Sequence, residues 1–205
     1  MDSALWKQAG TSLLGSPPAR APRNGARVGL GRAGNRACGA ALRVELVVEG
    51  PNERISSLKV EPIGPALEEA QAFSPLLLGR TATDVLQIPP RELAQMVGGL
   101  PEAKMYCSVL LYEALRAAVA NARGETHDSD GEVTCSCYAV SETVLRRAIH
   151  MNGLTSVQEV RCFTKAGGGC GCCLSRVAAV ISSVVGQSAR TGRDAANGGS
   201  EANAW

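Results

Sequence analysis

The chain has 205 residues, a formal net charge of +2, 45% hydrophobic residues and only 3% aromatic ones. That length allows one domain or two small ones, the near-neutral charge excludes a strong field over the whole molecule, and any core must be built from Ala, Val, Leu and Ile. No apolar run approaches the ~20 residues needed to span a bilayer, and the N-terminal arginines have no aromatics interleaved among them, so neither a membrane nor a nucleic acid is expected as partner.

Residues 1–36 carry Arg20, Arg23, Arg27, Arg32 and Arg36, many glycines and prolines, and a single acid, Asp2. Pro17, Pro18 and Pro22 break any amphipathic helix of the transit-peptide kind. The segment reads as a flexible basic arm. No succession of basic, apolar and small residues marks a secretory signal, so a reducing cytoplasm is the expected compartment and disulfides are not expected.

In residues 37–123, Leu42 to Val48 and Arg54 to Val60 alternate apolar and polar across Gly50-Pro51-Asn52, which predicts an antiparallel hairpin. Helical spacing follows at 67–78, 91–97 and 108–122, the last with Leu111, Leu115, Ala118, Val119 and Ala122 on one face. Strands followed by helices make an α+β domain with a small antiparallel sheet. Residues 124–132, with His127, Asp128, Ser129 and Asp130, are polar and rich in breakers and read as a linker.

Residues 133–187 read as a small all-α domain. Ser141 is placed to cap a first helix, in which Val144, Leu145, Ala148 and Ile149 form a stripe ending at Asn152-Gly153. Thr155 and Gln158 have capping-box spacing for a second helix that stops at Ala166-Gly167-Gly168-Gly169. A third helix after Cys170 carries Leu174, Val177, Ala178, Ile181 and Val185. Residues 188–205 read as a disordered polar tail.

The chemistry of this half lies in its thiols. Cys135 and Cys137 form C-x-C, and after 32 residues Cys170 and Cys173 form C-x-x-C. Two such pairs converge into one tetrathiolate cage if the intervening helices fold back, and that cage suits zinc or an iron–sulfur cluster. C-x-x-C is at home in zinc sites; C-x-C beside a glycine run is less so. Three residues without Cβ let backbone N–H groups approach a cluster's sulfurs, and a helix N-terminus and Lys165 add positive potential. Cys172 lies inside the C-x-x-C and competes as a ligand, with Cys173 retained on spacing. Cys162 reads as a buried thiol. His127 and His150 lack an acid and a nucleophile at triad spacing, and Gly167 to Gly169 lack the Lys-Ser/Thr ending of a phosphate loop, so no enzyme is expected.

The runs Cys135-Ser136-Cys137-Tyr138-Ala139-Val140, Asn152-Gly153-Leu154-Thr155-Ser156-Val157 and Thr164-Lys165-Ala166-Gly167-Gly168-Gly169-Cys170-Gly171-Cys172-Cys173 resemble the bacterioferritin-associated-ferredoxin-like [2Fe–2S] domain, above all the central domain of NifU proteins. The resemblance covers about residues 133–186. It implies a permanent [2Fe–2S] cluster on Cys135, Cys137, Cys170 and Cys173. Cys38-Gly39, the strand from Leu42, the run Gly98 to Ser108 around Cys107, and Ala114 to Asn121 are similar to the IscU-like NifU N-terminal domain, which builds labile clusters on three cysteines. Here Cys38 and Cys107 match two of them. The middle one falls in Ile63-Gly64-Pro65-Ala66, where Pro65 offers no ligand; Ala40 replaces an acid, and Tyr106 stands where His is common.

The resemblance implies a truncated, partly degenerate iron–sulfur cluster assembly protein of NifU type. Its expected partners are a cysteine desulfurase and apo iron–sulfur client proteins, its setting extends to nitrogenase maturation, and a homodimer would bring four scaffold thiolates together. Two alternatives accompany it: a ferredoxin-like electron-transfer module with a non-functional scaffold domain, and a zinc-binding structural protein.

Overall fold

The computed structural model describes residues 25–34, 39–63, 68–125 and 131–197. Cys38 and Pro65 lie outside the described residues, as do residues 1–24 of the predicted arm and 126–130 of the predicted linker. The architecture is α+β: a three-stranded antiparallel sheet with helices, then a helical region with a two-stranded sheet.

The sheet is the meander β1 (Arg27–Gly34), β2 (Ala41–Glu49), β3 (Arg54–Ile63). Alternation in β2 buries Leu42, Val44, Leu46 and Val48 on one face, and the β2–β3 hairpin is the predicted one. Strand β1 corrects the sequence reading, since its residues fall inside the arm assigned to 1–36. Its sequence, RVGLGRAG, has little β-propensity, and the reason it is a strand is tertiary. A Cβ at Gly29 would lie 2.0 Å from the Ala118 carbonyl oxygen, and one at Gly31 2.0 Å from that of Ala114. Only glycines let this strand lie directly against the helix crossing it.

After β3 come a 3₁₀ turn at Glu68–Ala72 and α1 (Phe73–Leu77). This pair replaces the single helix predicted for 67–78. Helix α2 (Ala82–Gln87) goes unread in the sequence, although Thr81 caps it by accepting the Asp84 N–H at 3.1 Å. Helix α3 (Pro90–Met96) is followed by α4 (Tyr106–Arg123), which ends on Gly124 in the left-handed conformation, φ 73°. Leu111, Leu115 and Ala118 of α4 pack with Leu42, Leu46, Ile55, Phe73 and Leu77 in the first core.

The C-terminal region opens with a hairpin, β4 (Val133–Cys135) and β5 (Val140–Ser141), so the reading as all-α is corrected by one small sheet. Helix α5 (Glu142–Asn152) starts with the Ser141 hydroxyl accepting the Val144 N–H and stops at Gly153, φ 61°, as expected from the sequence. In α6 (Val157–Thr164) the capping box belongs to Ser156 and Glu159, one residue beyond the predicted pair. Glu159 is the better partner because a carboxylate at the helix N-terminus also meets the macrodipole. Helix α7 (Leu174–Asn197) runs through residues 188–197, which the sequence reading assigned to a disordered tail. Ala and Arg favour helix there, and no proline interrupts it. Its buried stripe is Val177, Val180, Ile181 and Val184, whereas Leu174 and Val185 are exposed.

The two halves pack together through α4. Val109, on its first turns, belongs to the second core with Leu145, Ile149, Leu154 and Phe163. Arg147 of α5 forms a buried ion pair with Glu113 of α4, and the Asn152 side chain accepts the Arg91 N–H at 2.7 Å.

Candidate metal centre

The two cysteine pairs sit on two loops held against each other by helix ends. Cys135 closes β4 and is buried, 2% exposed; Cys137 lies in the hairpin turn, where Ala139 takes a left-handed φ of 52°. On the other side, α6 ends at Lys165 with φ 65°, whose carbonyl accepts the Gly168 N–H at 3.0 Å, and buried Ala166 anchors the loop. The loop runs through Gly167 to Cys173 into α7, with the Gly171 carbonyl accepting the Leu174 N–H at 3.1 Å.

The glycines have separate uses. Gly167, φ 80°, leaves room for the Leu174 side chain, since a Cβ there would lie 2.6 Å from its Cδ2. Gly169 is where the two thiol loops touch. A Cβ at this position would sit 2.9 Å from both Cβ and Sγ of Cys137 and 3.4 Å from the Tyr138 ring. The close approach that Gly169 permits is one between the two cysteine loops.

The thiols converge in two contacting pairs. Cys137 Sγ lies 3.3 Å from Cys170 Sγ at the surface. Cys173, buried, contacts the Cys135 thiol beneath. Burial pushes the Cys173 thiol up, and the neighbouring Cys135 adds to the effect. Cys170 is held below the ordinary thiol range, first by the Cys172 N–H donating to its sulfur and then by the Cys137 thiol. Cys172 is pushed up by its contact with Cys170.

Among the described residues no three His, Cys, Asp or Glu side chains converge on the position of a single ion. Four cysteines in two pairs suit a binuclear centre, in which each metal takes two thiolates. The donor set is all sulfur, which selects iron–sulfur clusters or thiophilic ions over hard cations.

Two other cysteines have different surroundings. Cys107 occupies the first turn of α4, is 4% exposed and belongs to the first core together with Ala40. Cys162, read from sequence as a packing thiol, is half-buried and donates to Glu102 Oε1 at 2.9 Å. That contact joins α6 to the segment that precedes α4. Lys165 does the same, donating to the Ala103 carbonyl at 3.0 Å with its ammonium 4.5 Å from the Tyr106 ring centroid. The sequence carried no signal for these contacts because each links residues about 60 apart. His150 is exposed, and His127 lies outside the described residues.

Residues 14–129 match the family model of the NifU-like N terminal domain, and residues 133–183 that of the BFD-like [2Fe-2S] binding domain. The chain is similar to the nitrogen fixation protein NifU of Trichormus azollae, 39% identical over 82% of this chain and 58% of that protein. It is also similar to NifU of Azospirillum brasilense, 34% identical over 80% of this chain and 55% of the relative. Its N-terminal half resembles the iron-sulfur cluster assembly scaffold protein IscU 1 of Archaeoglobus fulgidus, 32% identical over 48% of this chain and 67% of the other. The chain spans a little over half the length of the NifU relatives it matches.

Proposed function

This chain belongs to the NifU family and carries a [2Fe–2S] cluster, and on that premise we propose that it serves iron–sulfur cluster assembly, with Cys135, Cys137, Cys170 and Cys173 as the ligands of a permanent cluster. The observation that carries the ligand assignment is the meeting of the two thiol pairs across Gly169. Bound there, a [2Fe–2S] cluster supplies one-electron chemistry. The chain's own part is to hold four thiolates in place, the inner pair buried and the outer pair at the surface. The protein acts as a carrier rather than as an enzyme.

In this reading the N-terminal half handles cluster as cargo. Cys38 and Cys107 would hold labile iron, a cysteine desulfurase would supply sulfur, and apo iron–sulfur proteins would receive the product. Since the relatives are named for nitrogen fixation, nitrogenase maturation is the proposed setting. Among the described residues no helix is long and apolar enough to cross a membrane, and we place the protein in the cytoplasm. Two scaffold cysteines per chain are few for holding a cluster, which a homodimer would remedy.

The test is iron and sulfide loading with a cysteine desulfurase, L-cysteine and ferrous iron under anaerobic conditions. The expected result is chelator-labile iron beyond the permanent centre, transferable to an apo-ferredoxin, and lost in the Cys38→Ala/Cys107→Ala double variant. A second reading, a ferredoxin-like module with an inactive scaffold half, is favoured by Pro65 in place of the middle thiol and by the burial of Cys107. Loading that stops at the permanent centre would establish that reading instead.

A further inference from the structure

Among the described residues two buried side-chain polar atoms have no hydrogen-bond partner, Nε of Arg116 and Oγ1 of Thr134. The Arg116 guanidinium still meets the Tyr112 phenol, whereas a threonine side chain has only its one oxygen. An unpaired buried hydroxyl costs stability and is uncommon enough to need a reason, a redox role among them. Thr134 directly precedes Cys135 in β4. Val133 pairs with Ser141 and Cys135 with Val140, so Thr134 is the extra residue of a bulge. Consecutive residues of a regular strand face opposite sides. Here Val133 is 48% exposed, but Thr134 and Cys135 are 5% and 2% exposed, so both are turned in.

We propose that the Thr134 hydroxyl tunes the centre by donating a hydrogen bond to the Cys135 sulfur when that sulfur is a metal-bound thiolate. The two Cα atoms are ~3.8 Å apart, which puts the neighbouring sulfur within the sweep of the hydroxyl about its Cα–Cβ bond. A thiol is a weak acceptor, whereas a thiolate makes charge-assisted hydrogen bonds about twice as strong as neutral ones. Cys135 packs in the second core with Val140, Leu145 and Ile149, and in such apolar surroundings a hydrogen bond is stronger than in water. Reduction adds negative charge to the centre, so a donor to a ligand sulfur favours the reduced form and raises the potential. Thr134 holds no metal itself; it acts through Cys135.

This inference rests on Cys135 as a ligand, and the experiment separates the two. Thr134→Val, Thr134→Ala and Thr134→Ser holoproteins are purified anaerobically beside the unmodified chain and Cys135→Ser. Iron and acid-labile sulfide are counted, and the midpoint potential is read by spectroelectrochemical titration of the visible absorption. The three Thr134 variants are expected to hold about two irons and two sulfides per chain, the content of one [2Fe–2S] centre, because no ligand is changed. Thr134→Val and Thr134→Ala are expected to titrate at a more negative potential, and Thr134→Ser, which keeps a hydroxyl, near the unmodified value. A midpoint unchanged without the hydroxyl, or shifted as far in Thr134→Ser, would overturn the proposal. If one of Thr134→Val and Thr134→Ala loses the centre, the other decides against Thr134→Ser; loss from both would assign the hydroxyl a structural role and overturn the proposal as well. Cluster retained in Cys135→Ser would instead overturn the ligand assignment beneath it.

Discussion

Gly169 joins two loops that a side chain would hold apart. A methyl group there meets Cβ and Sγ of Cys137 at 2.9 Å, so Gly169→Ala must push the C-x-C turn away from Cys170. We expect this variant to fold, because Gly169 itself is exposed, and to retain iron roughly tenfold less well against a chelator, the scale of effect typical of residues that orient ligands. Chelator titration followed by visible absorption measures it. Cys135→Ser, in the buried pair, is expected to abolish the cluster. At this scale the sequence was a good guide to which thiols lie together, because thiol spacing is a local property.

Strand β1 shows how far element reading depends on contacts. Its glycines look like a breaker-rich tail until Ala114, Ala118 and Ala122 of α4 are set beside them. Gly31→Ala would drive a Cβ to within 2.0 Å of the Ala114 carbonyl, and we expect a loss of about 3 kcal/mol in denaturant unfolding, at the upper end for overpacking. The same strand is pinned by Glu53, which accepts from Arg27 at 2.6 Å and from Arg123 at 3.0 Å. The Arg123 guanidinium is the main reason its carboxyl titrates below the ordinary range. A carboxylate whose folded pKa is depressed stabilises the fold above the unfolded value of about 4.3 and loses that contribution as pH falls through the lower folded value. Glu53→Gln should therefore lower stability by about 1 kcal/mol at pH 7, with the difference vanishing in acid. Equal losses at pH 7 and pH 3 would contradict the assignment. The hairpin β2–β3, helix α4 and the caps of α5 were legible because each rests on residues close in sequence.

Across the whole molecule, α4 serves both halves: Leu111 and Leu115 fill the first core while Val109 enters the second. Arg147 and Glu113 tie α5 to this helix, with side chains 15% and 8% exposed. Removing the cation leaves a buried carboxylate unpaired, so Arg147→Ala is expected to cost about 3 kcal/mol and to separate a single unfolding transition into two. One merged transition with unchanged midpoint would show that the halves are not coupled there. The contacts of Cys162 with Glu102 and of Lys165 with Ala103 bring the glycine loop's helix to the chain segment that precedes Cys107, a proximity that no local pattern encodes. That the four paired cysteines hold one [2Fe–2S] centre is tested most directly by counting iron and acid-labile sulfide per chain in anaerobically purified protein alongside its visible spectrum. The prediction is about two of each with cluster absorption, lost in Cys135→Ser, and a colourless protein containing zinc and no acid-labile sulfide would contradict it.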